Sequence, residues 1–239
     1  MESLRTPETT IAGTCLRGIV EPSLSSSPCP DRSSSATAVR AAAVRPLVRA
    51  RLPHDTAELA RFLLGKIVVR ELRSGVAMGR IVETEAYPPD DPACHAFRGM
   101  TARNRSLFLD VGYAYVYLCY GTSYLLNVSS EQAGIGAGVL LRALEPIAGV
   151  QLMLGKRARK NLRDLTRGPG RLATALGVDR RFDGADLTRR GPLWLGTDGT
   201  SPGAISESVR IGLTKAADAC LRYFVSGSDY LSGPRRLNV

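Results

Sequence analysis

The sequence predicts an α+β fold, a single domain built on a largely antiparallel sheet with helices around it. Two observations carry this prediction. Runs of β-favouring residues outnumber helical ones, and several follow one another directly across short turns, as antiparallel neighbours do. The length sets the scale: 239 residues suffice for one sizeable domain, or for one domain with a tail.

Residues 1–48 read as a low-complexity, disordered tail, and 49–239 as the domain. The serine- and proline-rich stretch 23–36 has few large apolar residues and no helical or strand period. Its arginine, serine and alanine content loosely resembles an organelle transit peptide, but Glu2, Glu8, Glu21 and Asp31 argue against that. The domain starts with a helix at Asp55, an N-cap acceptor followed three residues later by Glu58. Leu59, Phe62 and Leu63 form its buried stripe, and Gly65 ends it. Strands follow at 66–73 and 79–87, joined by a turn at Ser74 and Gly75, and a proline- and aspartate-rich loop covers 88–98. Strands 113–120 and 123–128 flank a turn at Gly121 and Thr122, and a further strand spans 138–144. Pro146 marks a possible helix start leading into the basic stretch 156–160. A short helix over 172–176 is introduced by Arg167 to Arg171 and stopped by Gly177, and the last strand covers 221–225.

Composition narrows the function. The net charge is +10 and the pI about 9.8. Arg5, Arg17, Arg32, Arg40 and Arg45 nearly balance the four acids of the tail, so almost all of the excess lies in the domain. A basic domain favours a polyanionic partner such as nucleic acid or an anionic membrane. The five cysteines form no CxxC pair, so a reducing compartment is expected, and two histidines without a cysteine cluster leave no ligand set for structural zinc. No apolar run is long enough to cross a bilayer.

The strand 79–87 is the most informative segment. Alternation groups Ile81, Glu83, Glu85 and Tyr87 on one face and Val82, Thr84 and Ala86 on the other. Two carboxylates on one face are costly to bury unpartnered, so that face is either solvated or holds the acids in a cleft for chemistry. Tyr113, Tyr115, Tyr117 and Cys119 share a face of the next strand, with Tyr120 on the other side beside the Gly121 turn. Such a face is either ordinary aromatic packing or a stacking platform for a base, with Tyr120 as a wedge. Arg142 interrupts an apolar strand on the face it shares with Leu140 and Leu144, and is a candidate partner for Glu83 or Glu85. Asn127 sits in a strand where asparagine is disfavoured. The Arg167–Arg171 turn before a helix is a candidate phosphate contact.

Taken in order, nine blocks resemble the alkyladenine (3-methyladenine) DNA glycosylase family. They lie at 63–66, 80–87, 93–95, 102–108, 115–121, 127–130, 139–146, 168–172 and 222–227, and span the chain from about residue 55 to its end. The resemblance implies a curved antiparallel sheet with surrounding helices, like a formyltransferase C-terminal domain. It implies catalytic roles for Glu85, the general base that activates water against the sugar C1′, and for Arg142, which holds the acid, water or nearby phosphate. Tyr87 and His95 would line one side of a flipped base, Tyr117 would stack on the other, and Ala93 would present its carbonyl to the base edge. Asn127 would exclude guanine through its exocyclic amine. Tyr120 would fill the gap in the duplex, and Arg103, Arg105 and Arg171 would contact DNA.

The expected activity is base-excision repair: release of 3-methyladenine, 7-methylguanine, hypoxanthine or ethenoadenine from duplex DNA. With no lysine in the motif strands, it is expected to be monofunctional and to leave an abasic site. No cofactor, metal or membrane is expected, and a monomer suffices for the duplex. Location follows the cell type, cytoplasmic at the nucleoid in a bacterium, which is favoured, and nuclear or organellar in a eukaryote. Two alternatives stand beside this reading. A carbohydrate glycosidase would use Glu83 and Glu85 as acid and base, but would not explain the basic surface or the tyrosines. A non-catalytic module for distorted duplex would explain the charge but not Glu85.

Overall fold

The computed structural model describes residues 44–155 and 161–238. Most of the tail and the basic stretch 156–160 therefore lie outside the described residues. Among the described residues nine strands form one antiparallel sheet: β1 Arg45–Pro46, β2 Ile67–Leu72, β3 Gly75–Tyr87, β4 Ala114–Cys119, β5 Ser123–Ser129, β6 Gly138–Ala148, β7 Leu193–Thr197, β8 Ile205–Ser208 and β9 Arg222–Val225. Their order is β1-β7-β2-β3-β6-β5-β4, with β9 on β3 and β8 on β9. The sheet is curved, and three helices pack around it: α1 Thr56–Leu63, α2 Val150–Leu154 and α3 Pro169–Leu176. The expected α+β class is observed.

β3 is the spine. Its first half pairs with β2, its second half with β9, and β6 runs along its other edge. The pairing with β6 slips between Ile81 and Glu83 and again between Glu83 and Thr84. These slips change the alternation expected from the sequence, because one extra residue moves every following side chain to the opposite face. Ile81 joins Ala86 and Leu144 in the main core, and Thr84 donates its hydroxyl to the Ala60 carbonyl of α1 at 3.0 Å. Val82 packs instead with Ala143, Phe224 and Leu231. Ile81 therefore does not share a face with Glu83 and Glu85, Val82 does not share one with Thr84 and Ala86, and Leu144 does not share one with Arg142.

Local signals account for most of the elements. Asp55 caps α1 by accepting from the Glu58 amide at 2.8 Å, and Leu59, Ala60 and Leu63 bury the inner face. Pro169 opens α3 and Gly177, at φ +62°, closes it. Leu172, Ala173 and Leu176 of α3 join the α1 residues over Val128, Val139 and Leu141 of the sheet. Burying such a leucine contributes about 1.5–3 kcal/mol, so these two short helices depend on their packing against the sheet.

Three further expectations change. β1 lies within the stretch read as tail, and Val44 and Leu47 are buried, so residues 44–48 belong to the folded domain. No helix starts at Pro146. β6 runs through it to Ala148, because Pro146 sits opposite Gly79, where the register shifts and a missing N–H is tolerated. β7 and β8 add two strands that the sequence reading does not include.

Candidate active site

The candidate site is assembled from four strands of the sheet and two loops. β3 supplies Glu83, Glu85 and Tyr87, β4 supplies Tyr115 and Tyr117, β5 supplies Asn127 and β6 supplies Arg142. The loop after β3 brings Ala93 and His95, and the segment after β8 brings Ile211, Gly212 and Leu213. All of these except Glu83 and Glu85, which lie behind the wall, line a cavity of about 580 Å³, within the range of roughly 300–1,000 Å³ usual for small-molecule sites.

The two glutamates are both fully buried, yet their surroundings differ. Glu83 is saturated. Its Oε1 accepts from Arg142 Nε at 3.0 Å, Arg222 Nε at 2.7 Å and Ser232 Oγ at 2.8 Å, and its Oε2 accepts from the Ser232 amide at 2.6 Å. Burial pushes the Glu83 carboxyl up, but Arg142, Arg222 and the Ser232 amide together hold it below the ordinary carboxylate range. Glu85 lies behind the cavity wall formed by Tyr87, Arg142 and Ile211. Its Oε1 accepts from the Ile211 amide at 2.7 Å, and its Oε2 from the Tyr87 hydroxyl at 2.9 Å, with Arg142 Nη1 at 3.1 Å. Arg142 thus ties both carboxylates together. Burial acts against its charge, but Glu85 and Glu83 hold it firmly protonated.

The aromatic wall is ordered by hydrogen bonding as well as by packing. The Tyr115 and Tyr117 rings stack at 5.3 Å, and His95 meets Tyr117 edge-on at 4.5 Å. His95 Nδ1 lies 3.0 Å from the Tyr115 hydroxyl. Burial, with Arg103 nearby, pushes the His95 imidazole down and favours its neutral form. Burial pushes the Tyr115 phenol up to about 12 and also raises Tyr117, so both stay neutral hydrogen-bonding rings at physiological pH. Asn127 donates its amide to the Tyr115 carbonyl at 3.2 Å and lines the cavity. Behind Tyr87, the Arg210 guanidinium lies 4.6 Å from the ring centroid. Arg210 pairs with buried Asp91, whose other oxygen accepts from the Ala93 amide.

Tyr120 stands at the β4–β5 hairpin tip and lines the same cavity. It is 92% exposed and holds φ at +48°, beside Gly121 at +69°. A left-handed conformation costs a non-glycine residue roughly 1–2 kcal/mol, and no burial of the ring offsets it here. Of the arginines singled out in the sequence, Arg103 lines the cavity with its guanidinium 5.6 Å from the Tyr117 centroid. Arg105 is exposed on a 3-10 turn outside the cavity lining. Arg171 pairs with Asp164 at 2.8 Å on a neighbouring cavity that it shares with Arg142 and Arg167.

Sequence reasoning did not find Arg222, Ser232, Ile211 or Arg210. Arg222 did carry a signal, because an arginine opening an apolar strand asks for a buried acid just as Arg142 does. Among the described residues no group of His, Cys, Asp and Glu is arranged to hold a metal ion, and no helix is long and apolar enough to cross a membrane.

Residues 50–229 match the methylpurine-DNA glycosylase family. A Mesorhizobium japonicum protein named as a 3-methyladenine DNA glycosylase is 61% identical over 192 residues, covering 80% of this chain and 92% of the relative. A Paraburkholderia phytofirmans protein of the same name is 50% identical over 82% of this chain and 92% of its own length. One from Rubrobacter xylanophilus is 47% identical over 74% and 92%. A basic domain with a tyrosine-walled cavity and a buried carboxylate–arginine pair at its back is thus a DNA N-glycosylase, a hydrolase of base-excision repair. The chain belongs to the methylpurine-DNA glycosylase family.

The Glu83 environment predicts a pH-dependent stability. A depressed carboxyl contributes fully above its ordinary range, and the contribution is lost as pH falls through the folded value. Glu83→Gln should cost about 3–5 kcal/mol at pH 7, the usual loss when one partner of a buried pair is removed. The gap to wild type should narrow on acidification, which urea unfolding at neutral and acidic pH will measure.

Proposed function

We propose that this glycosylase flips alkylated or deaminated purines from duplex DNA and hydrolyses their N-glycosidic bond with Glu85 as general base. The substrate class is 3-methyladenine, 7-methylguanine, hypoxanthine and ethenoadenine, and the product is an abasic site. The observation that carries the assignment is the unequal bonding of the two glutamates. All four contacts of Glu83 go to arginines and Ser232, whereas Glu85 sits against the cavity wall and shares Arg142 there. A base must be adjacent to the reacting water, and of the two carboxylates Glu85 is the one held against the cavity wall.

In the reaction, water attacks C1′ and gives its proton to Glu85, while the glycosidic electron pair leaves with the purine. Bases alkylated at N3 or N7 are cationic, so they leave readily and bind well between the faces of Tyr87 and Tyr117. His95 lines the base on the side of Tyr87, the Ala93 carbonyl meets the base edge, and Asn127 rejects guanine by a clash with its exocyclic amine. Tyr120 enters the duplex and replaces the lost stacking, and Arg103, Arg105 and Arg171 meet phosphates. No lysine lies on the strands that build the cavity, so hydrolysis proceeds without a Schiff base and the enzyme is monofunctional. The glycosidase alternative is disfavoured by the same geometry, since it needs one protonated carboxyl and two arginines, Arg142 and Arg222, serve the two carboxylates.

Glu85→Gln should abolish release of 7-methylguanine and hypoxanthine from duplexes while damaged-DNA affinity stays within a few-fold of wild type. Release at the wild-type rate by this variant would remove Glu85 from the role. Aromatic stacking on a base is worth about 1–3 kcal/mol, so Tyr120→Ala should weaken flipping by roughly one to two orders of magnitude, read as a smaller ethenoadenine fluorescence change.

A further inference from the structure

Arg222 is a fully buried cation that the reaction described above does not use. Every donor of its guanidinium is engaged. Nε donates to Glu83 Oε1, Nη1 to Ser208 Oγ at 2.8 Å and the Leu237 carbonyl at 2.7 Å, and Nη2 to Asn238 Oδ1 at 2.6 Å and the Ser232 carbonyl at 3.5 Å. Its plane also lies over Phe224, 4.6 Å from the ring centroid. It does not line the cavity, and its backbone stands opposite Glu85 across the β3–β9 ladder.

Charge balance gives this residue a purpose. Glu83, Glu85, Arg142 and Arg222 form a buried set of two anions and two cations. Arg142 alone would have to serve both carboxylates. Two carboxylates sharing one cation in a buried site retain a proton between them at higher pH than either would alone. The other groups facing Glu85 do not supply a second free cation. Tyr87 is a neutral donor, the Ile211 amide is fixed, and the Arg210 guanidinium stacked on Tyr87 is paired with Asp91.

We propose that Arg222 is a positioning residue for base release: it neutralises Glu83, which leaves the charge of Arg142 to Glu85 and keeps the general base ionised at working pH. The C-terminal segment completes this arrangement. Ser232 binds Glu83 and Arg142 together, and Leu237 and Asn238 hold the far side of Arg222. The inference rests on the reading of Glu85 as the base.

The test is the pH profile of single-turnover release of 7-methylguanine from a duplex, corrected for spontaneous loss. This lesion is already cationic, so its own protonation does not shape the acid limb. In Arg222→Met the acid limb should move up by on the order of one pH unit, with the rate below it down about tenfold and recovering at higher pH. In Glu83→Gln it should move down, because Arg142 then serves Glu85 alone. The charge-balanced pair Glu83→Gln with Arg222→Met should return the limb to its wild-type position, and Arg222→Lys should retain it. A purely structural role would lower stability without these opposite displacements, so an acid limb fixed in Arg222→Met or in Glu83→Gln overturns the proposal. Glu85→Gln measured alongside separates the two claims. Wild-type release by that variant defeats the reading of Glu85, whereas an inactive variant with unmoved limbs defeats only the role of Arg222.

Discussion

Arg142 reaches Glu83 through Nε and Glu85 through Nη1, and this shared guanidinium is the point on which the site is organised. Burying an ion costs several kcal/mol even after relaxation, and whole domains are stable by only about 5–15 kcal/mol. Four buried ionised side chains are therefore not a cheap route to stability. They persist because each is closely partnered, and the partners come from β3, β6, β9 and the segment around Ser232. The register slips in β3 belong to the same requirement. They turn Glu83 and Glu85 away from the core that holds Ile81 and Ala86, toward Arg142 and Arg222.

From those anchored carboxylates the cavity extends outward to an exposed rim. Glu85 is fixed by three donors. Tyr87 is held by Glu85 on its hydroxyl and by Arg210 behind its ring. Tyr115, Tyr117 and His95 form a mutually supported wall. At the rim, Tyr120 stands in solvent on a left-handed backbone. The buried carboxylates thus lie on paired strands, while the exposed ring sits on the hairpin tip.

Much of this was legible in the sequence, for identifiable reasons. The cap at Asp55, the Gly177 stop and the alternating tyrosines of β4 are local signals and require no tertiary information. Tyr87, His95, Tyr117, Tyr120, Asn127 and Arg142 do gather around one cavity with Glu85 behind its wall, and the question of which glutamate Arg142 pairs with is answered by both. What was not legible is non-local. β1 is two residues long, β8 is a Ser- and Glu-containing edge, and β7 lies among glycines and prolines. The slips in β3 leave no mark in composition, yet they reverse the face of Ile81. Ile211 and Arg222 lie 126 and 139 residues from the carboxylates they hold, and only the folded chain brings them there.

The division of labour between the two glutamates is tested most directly by a crystal structure with a duplex containing a cationic pyrrolidine abasic mimic. The account predicts the pyrrolidine cation or its water beside Glu85 and Arg142, with Glu83 still bound to Arg222 and Ser232. A structure in which Glu83 leaves those partners to meet the sugar, while Glu85 stays on the Ile211 amide without contact to the reacting centre, would contradict it.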